Sequence, residues 1–321
     1  MKMQLETPSA VVEAREAKDG WNWFVELLIF ALVFVAATMG ELIITVPVQM
    51  YLMLTHEAYW TAIEAKDAEL FANLVLEVTG SNMYILAMLF SNIAIILVAM
   101  LFCKLIQKRR MTTLGFVKKD IAKEYGIGLA VGFGFFTVAV FLCLITGSLR
   151  FDGFSSTFSL GIFVLFGLGY MIQGMAEEVL CRGYFLVSFG RNYPMWVAVL
   201  ANSLFFAALH LGNAGISPLA LVNLTLFGIF ASVYFIKRGS IWGIGAFHSI
   251  WNFVQGNFYG IKVSGLTTSC TVLESVSVEG RELINGGAFG LEGGLAVTLV
   301  LVAGILFLLS RPAKSVECEV C

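Results

Sequence analysis

The chain has 321 residues, of which 59% are hydrophobic and 13% charged, with a mean hydropathy of +0.86 and a formal net charge of −2. A charged share about half that of ordinary soluble domains excludes a water-soluble globular protein, and the near-neutral balance gives no footprint for nucleic acid. The six cysteines are scattered and give no disulfide framework.

In chain order, residues 1–20 read as a charged, poorly ordered tail on the cytoplasmic side. It shows no small-residue cleavage site, so the apolar stretch that follows is expected to be a retained anchor. A spanning helix takes about 20 apolar residues. Eight stretches qualify: 21–46, 83–106, 125–147, 158–189, 195–211, 218–236, 241–259 and 287–309. The expected fold is therefore all-α, a polytopic membrane protein with about eight transmembrane helices forming one domain over 21–310. The fourth stretch is long enough to be tilted or broken. Residues 56–79 read as an amphipathic segment on the outer membrane surface, with Trp60, Ile63, Phe71, Leu74, Val75 and Val78 near one helical face. Residues 260–286 read as a polar outer loop, and 311–321 as a second cytoplasmic tail. The tail ends Cys318-Glu319-Val320-Cys321, formally a C-x-x-C and a C-a-a-X shape, but Glu319 suits the aliphatic position poorly.

The distribution of charge orients the chain. With an even number of helices both termini share a side. Placing them inside leaves only Lys66, Arg150, Lys262 and Arg281, of 20 Lys and Arg, on or nearest the outer side. The densest cluster, Lys104, Lys108, Arg109, Arg110, Lys118, Lys119 and Lys123, reads as a topology determinant facing anionic lipid. The expectation is cytoplasmic termini, with the plasma membrane as default location.

Two of three histidines, His210 and His248, lie inside apolar runs, and a third run holds Glu177, Glu178 and Arg182. Ionisable groups in a bilayer cost a few kcal/mol or more, so they seldom sit there without a partner or a task. Glu178 and Arg182 are four apart with the acid first, the favourable order for a helical ion pair. Glu177 points about 100° away and stays free of that pair. Counted at 1.5 Å per residue, Glu177 and His210 stand nearly level above the turn at 191–194, and His248 and Asn252 share one helix face.

A lone His on an apolar helix is most often a packed residue bonded to a neighbouring backbone. Glu177, His210, His248 and Asn252 together suggest a site. A carboxylate beside a histidine can activate water, and a His–Asn pair one turn apart can hold an oxyanion. Alternatively Glu177, His210 and His248 form a zinc ligand set with an open fourth position. The base would then be Glu178, whose pairing with Arg182 argues against it. No cofactor is favoured, and zinc stays open. A third reading is a proton-coupled transporter with Glu41, Asn92, Asn202 and Asn223 along its path. No pair of broken helices in matching halves supports it.

Glu177-Glu178-Val-Leu-Cys-Arg182, Phe206-Ala-Ala-Leu-His210 and His248-Ser-Ile-Trp-Asn252 resemble, complete and in order, the EExxxR, FxxxH and HxxxN motifs of the CPBP family. That family includes CAAX prenyl endopeptidases and bacteriocin-processing or immunity proteins. The resemblance covers residues 110–260, which would be the catalytic core. It implies an intramembrane endopeptidase acting on a membrane-associated protein or peptide, prenylated CAAX-type or leader-bearing. Glu177 and His210 would activate water, His248 and Asn252 would hold the oxyanion, and Glu178, Arg182 and Phe206 would support the site. The mouth would face the cytoplasm and lipid. Some members are described as metal-dependent, and a non-catalytic immunity or scaffold protein of the same fold remains the alternative. Oligomeric state is not legible.

Overall fold

A computed structural model describes residues 5–311 of the chain. The Cys318–Cys321 motif lies outside the described residues. Each of the eight apolar stretches is helical. After α1 (Ser9–Ala17) comes α2 (Trp23–Thr55), whose 33 residues rise about 50 Å at 1.5 Å each, longer than a bilayer core. Two short helices, α3 (Glu57–Ala65) and α4 (Ala68–Thr79), follow. The next stretch is split into α5 (Asn82–Ser91) and α6 (Ile93–Leu105), joined at Asn92. Then come α7 (Ile121–Ile145), α8 (Leu160–Glu178), a π-helical segment (Val179–Leu186), α9 (Val187–Gly190), α10 (Met195–Ala208), α11 (Pro218–Arg238) and α12 (Ile241–Phe253), which runs into a π turn (Val254–Phe258). The short α13 (Glu282–Asn285) and α14 (Leu295–Ser310) close the described chain. Among the described residues five helical segments are long and apolar enough to cross a membrane, and α10 and α14 are apolar but shorter. The protein is a polytopic, mainly helical membrane protein.

Exposed apolar side chains here mark lipid contact rather than a defect. On α2, Leu32, Val35, Met39 and Ile43 are exposed, while Phe30, Val33 and Ala37 turn inward and are buried. That alternation of faces at helical spacing is what a helix at the bundle rim requires. At the centre α12 packs between α7 and α8. The approach to α8 is close because position 174 is glycine: a Cβ there would stand 2.5 Å from the Ser249 backbone nitrogen.

Four expectations need correction. The N-terminal segment is not an unstructured tail: α1 is ordered, Val11 and Ala14 are fully buried, and Arg15 donates to the carbonyls of Arg191 and Gly190, both at 2.9 Å. The amphipathic 56–79 segment is two helices, not one. Lys66 adopts left-handed geometry (φ 53°), and the Asp67 side chain caps α4 by accepting from the backbone of Glu69 and Leu70. Of its predicted apolar face only Leu74 and Val78 are buried, while Trp60, Ile63 and Phe71 are exposed.

The third correction concerns 260–286, which is not merely a loop. β2 (Leu273–Ser277) pairs antiparallel with β1 (Leu149–Phe154) as a two-stranded sheet. The fourth concerns Arg109, which does not face lipid. It is buried and bonds Gln107, Thr113, Ser188 and the Gly183 carbonyl. Burial pushes its guanidinium below the usual arginine range.

The two ends of the bundle differ. At one end meet α1, the 104–123 connection, the 191–194 turn and the end of α11: Arg191 pairs with Glu26 at 3.0 Å, Arg238 with Glu124 at 2.6 Å, and Ile241 N–H donates to Gly115 at 2.9 Å. At the other end meet β1, β2 and the 213–217 and 260–294 segments: Asn213 donates to Ser264, Asn223 to Glu292 and Asn285 to Ser148. Among the described residues most Lys and Arg belong to the first end.

Candidate active site

The site grows from three helices. On α8, Gln173 and Glu177 are one turn apart, and the Gln173 amide N–H donates to the Glu177 carboxylate. Glu178 is completely buried, and its Oε1 accepts from Arg182 Nη1 at 2.9 Å and from His248 Nδ1 at 2.8 Å. The predicted i,i+4 ion pair is present. Arg182 also lies 4.6 Å from the Phe206 ring centroid and reaches toward the Gly228 carbonyl at 3.4 Å. Buried charges are tolerable only when matched in this way. Phe206 therefore seals the pair from the cavity with its ring.

On α12, His248 is 4% exposed and wedged against Phe227, ring centroids 4.7 Å apart. With Nδ1 committed to Glu178, its Nε2 stands 3.8 Å from Glu177 Oε2. One turn on, Asn252 Nδ2 donates to Gln173 Oε1 at 2.9 Å. An ionised Glu177 only accepts, so Gln173 must present its N–H to Glu177 and its carbonyl to Asn252; the amide orientations follow from that. Gln173 thus links the glutamate to the asparagine. The sequence reading missed it, although its position one helical turn before Glu177 was the available signal.

His210 comes from a helix that stops short. At 14 residues, α10 rises about 21 Å, less than the roughly 30 Å of a bilayer core. His210 sits in the turn just past its end, with Nδ1 on the Phe206 carbonyl at 2.8 Å. A carbonyl only accepts, so Nδ1 carries the proton and Nε2 of the neutral ring is left as acceptor.

These groups share a cavity of ≈ 280 Å³, lined by Glu177, His210, His248 and Asn252 with Gln173 and Phe206. It is completed by Glu41 from α2, Asn92 from the α5–α6 junction, and Asn213, Ser264 and Glu292 from the loop end of the bundle. Of the proposed transporter path, Glu41 and Asn92 belong to this cavity. Asn202 instead bonds Ser232, and Asn223 bonds the carbonyls of Glu292 and Gly294, so both are helix contacts. None of the lining residues comes from the basic end.

His248 and Glu177 are spaced as two ligands could be, but among the described residues no group of three or more His, Cys, Asp and Glu side chains could hold a metal ion. The set Glu177, His210 and His248 does not fit zinc in this arrangement.

Residues 158–254 match the family model described as type II CAAX prenyl endopeptidase Rce1-like. The match is consistent with the CPBP family and runs from the start of α8 to the end of α12, holding all three motifs. It supports an integral membrane protein of the intramembrane-protease family. No curated protein and no solved structure matches the chain. Glu41, Asn92, Ser264 and Glu292 fall outside the matched segment.

Proposed function

We propose that the protein is an intramembrane endopeptidase that cleaves a membrane-associated protein or peptide with glutamate-activated water. The observation that carries this reading is the shared cavity: Glu177, His210, His248 and Asn252 come from α8, the turn after α10 and α12, and line one space within an apolar bundle. A folded protein gains nothing in stability from gathering such groups there.

In this mechanism Glu177 takes a proton from a water that His210 Nε2 also holds. The water oxygen bonds to the scissile carbonyl carbon, and the carbonyl π electrons move to oxygen. His248 Nε2–H and the second Nδ2–H of Asn252 donate to that oxyanion. Glu178 holds His248 Nδ1–H and favours the imidazolium, while Arg182 balances Glu178. Glu177 then passes its proton to the leaving amine as the C–N bond breaks, restoring the carboxylate. The termini lie in the cytoplasm, as the crowding of Lys and Arg at one end supports, and the plasma membrane is the expected location.

The test compares membrane proteomes of cells carrying the native chain or its Glu177→Gln variant, scored for new protein termini. Termini present only with the native chain are expected. Identical termini in both would sink the endopeptidase reading.

A further inference from the structure

The matched segment supplies the chemistry, but the rest of the cavity wall comes from elsewhere in the chain and has a charge of its own. Glu41 lies 18 residues into α2, roughly 27 Å from the basic end at 1.5 Å per residue. Glu292 sits in the connection before α14, and its Oε2 accepts from the backbone N–H and the hydroxyl of Ser264, both at 2.8 Å. Among the described residues neither carboxylate makes an ion pair, and no Lys or Arg lines the cavity. Behind the wall, Arg182 is spent on Glu178, and a proton on His248 is balanced by Glu177. Glu41 and Glu292 remain without a countercharge.

A second observation points the same way. Asn252 is 5% exposed and lines the cavity, and its orientation is set by Gln173. Its Oδ1 accepts no hydrogen bond among the described residues, so it faces the cavity as an acceptor awaiting a donor. A third is position. The cavity is walled by Asn213, Ser264 and Glu292 at the end of the bundle poor in Lys and Arg, opposite the end that the charge rule places in the cytoplasm.

We infer that the cavity selects a cationic peptide segment, with Lys or Arg close to the scissile bond, presented from the extracytoplasmic side of the membrane. In a low-dielectric site an ammonium or guanidinium offsets negative charge that Glu41 and Glu292 bring to the cavity wall. An incoming terminal carboxylate adds negative charge that no lining residue balances, and is disfavoured. The preferred cleavage is therefore internal to a membrane-anchored chain rather than the removal of a short C-terminal peptide ending in a free carboxylate. Glu41 and Glu292 are the specificity determinants. The inference rests on the endopeptidase reading for cleavage, but not for binding.

The experiment uses full-length protein in nanodiscs and acyl-anchored peptides identical except for Lys, Ala or Glu at one position, each ending in a carboxylate or an amide. Binding and cleavage are both measured. Lys peptides are expected to bind about tenfold or more tighter than Ala peptides, and Glu peptides weaker still. The Lys preference should shrink in Glu41→Gln and in Glu292→Gln. Equal binding across the set, or preference for Glu or the free carboxylate, overturns the inference even where Glu177-dependent cleavage is seen. Lys-selective binding without cleavage leaves the inference standing and removes the endopeptidase reading. For sidedness, Leu283→Cys is placed in a Cys318→Ser, Cys321→Ser background; Leu283 is exposed on α13 at the cavity end. Labelling by an impermeant maleimide in intact cells is expected, and labelling only in inverted vesicles overturns the extracytoplasmic placement.

Discussion

His248 Nδ1 donates to Glu178 Oε1 at 2.8 Å, and the same oxygen accepts from Arg182 Nη1 at 2.9 Å. One buried carboxylate oxygen therefore orients the histidine of one helix and neutralises the arginine of another. In the proposed mechanism stability and catalysis are joined at this atom, and the separation of their effects is measurable.

Removing either member of the Glu178–Arg182 pair leaves a buried charge unbalanced, at a cost of about 3–5 kcal/mol. Glu178→Ala and Arg182→Ala should lower the folded yield, and the double change should restore part of it. Glu178→Gln, which keeps the shape, should fold better than Glu178→Ala but lose turnover, because the imidazolium of His248 is no longer favoured. Size-exclusion profiles and turnover measured on the folded fraction check both parts; normal folding of both single variants counts against the structural role.

Glu177→Gln should abolish cleavage, by about 10²–10⁴ or more, while expression and membrane insertion stay near native levels. The amide keeps the side-chain shape and its contact with Gln173, but it cannot take a proton from water. Native turnover by the purified variant refutes the role.

His248→Ala and Asn252→Ala should each cost about 10²–10³ in rate if they hold the oxyanion. Elemental analysis of the same preparations should show no stoichiometric zinc, and a strong chelator should have little effect. One metal per chain, lost with activity and recovered on adding zinc, overturns this assignment.

Gln173 touches no substrate in this mechanism; it positions Glu177 and Asn252. Gln173→Leu should reduce kcat by about tenfold, the scale of a lost orienting hydrogen bond between polar groups, with KM little changed. Gln173→Asn, one carbon shorter, should not rescue it. A loss confined to KM points to substrate contact instead.

Arg109 separates topology from packing. Arg109→Lys should lower thermal stability, because an ammonium cannot reproduce the bonds its guanidinium makes to Gln107, Thr113, Ser188 and Gly183. The orientation of the chain in the membrane should not change, since lysine keeps the positive charge at that position. Reporter fusions at the termini together with a thermal-shift assay distinguish the two effects.

What the sequence determined by itself was whatever one helix or one composition carries. The eight apolar stretches, the i,i+4 spacing of Glu178 and Arg182, and the crowding of Lys and Arg between the second and third stretches are local patterns, set by the bilayer thickness and the 3.6-residue turn. The family motifs belong to the same class, because each fits within six residues. Tertiary structure decided what no single helix contains. It put His248 on Glu178 across 70 residues, and it brought Glu41 and Glu292 into the cavity from opposite ends of the chain. It also buried Arg109, which in composition looks like any other basic residue. It turned 260–286 from a polar stretch into a partner for β1, since a strand in isolation leaves its backbone groups unpaired and is legible only with the strand that completes it. Which end of the bundle holds the cavity is likewise a property of packing, because a polar side chain midway along a helix can open toward either face until its neighbours close one of them.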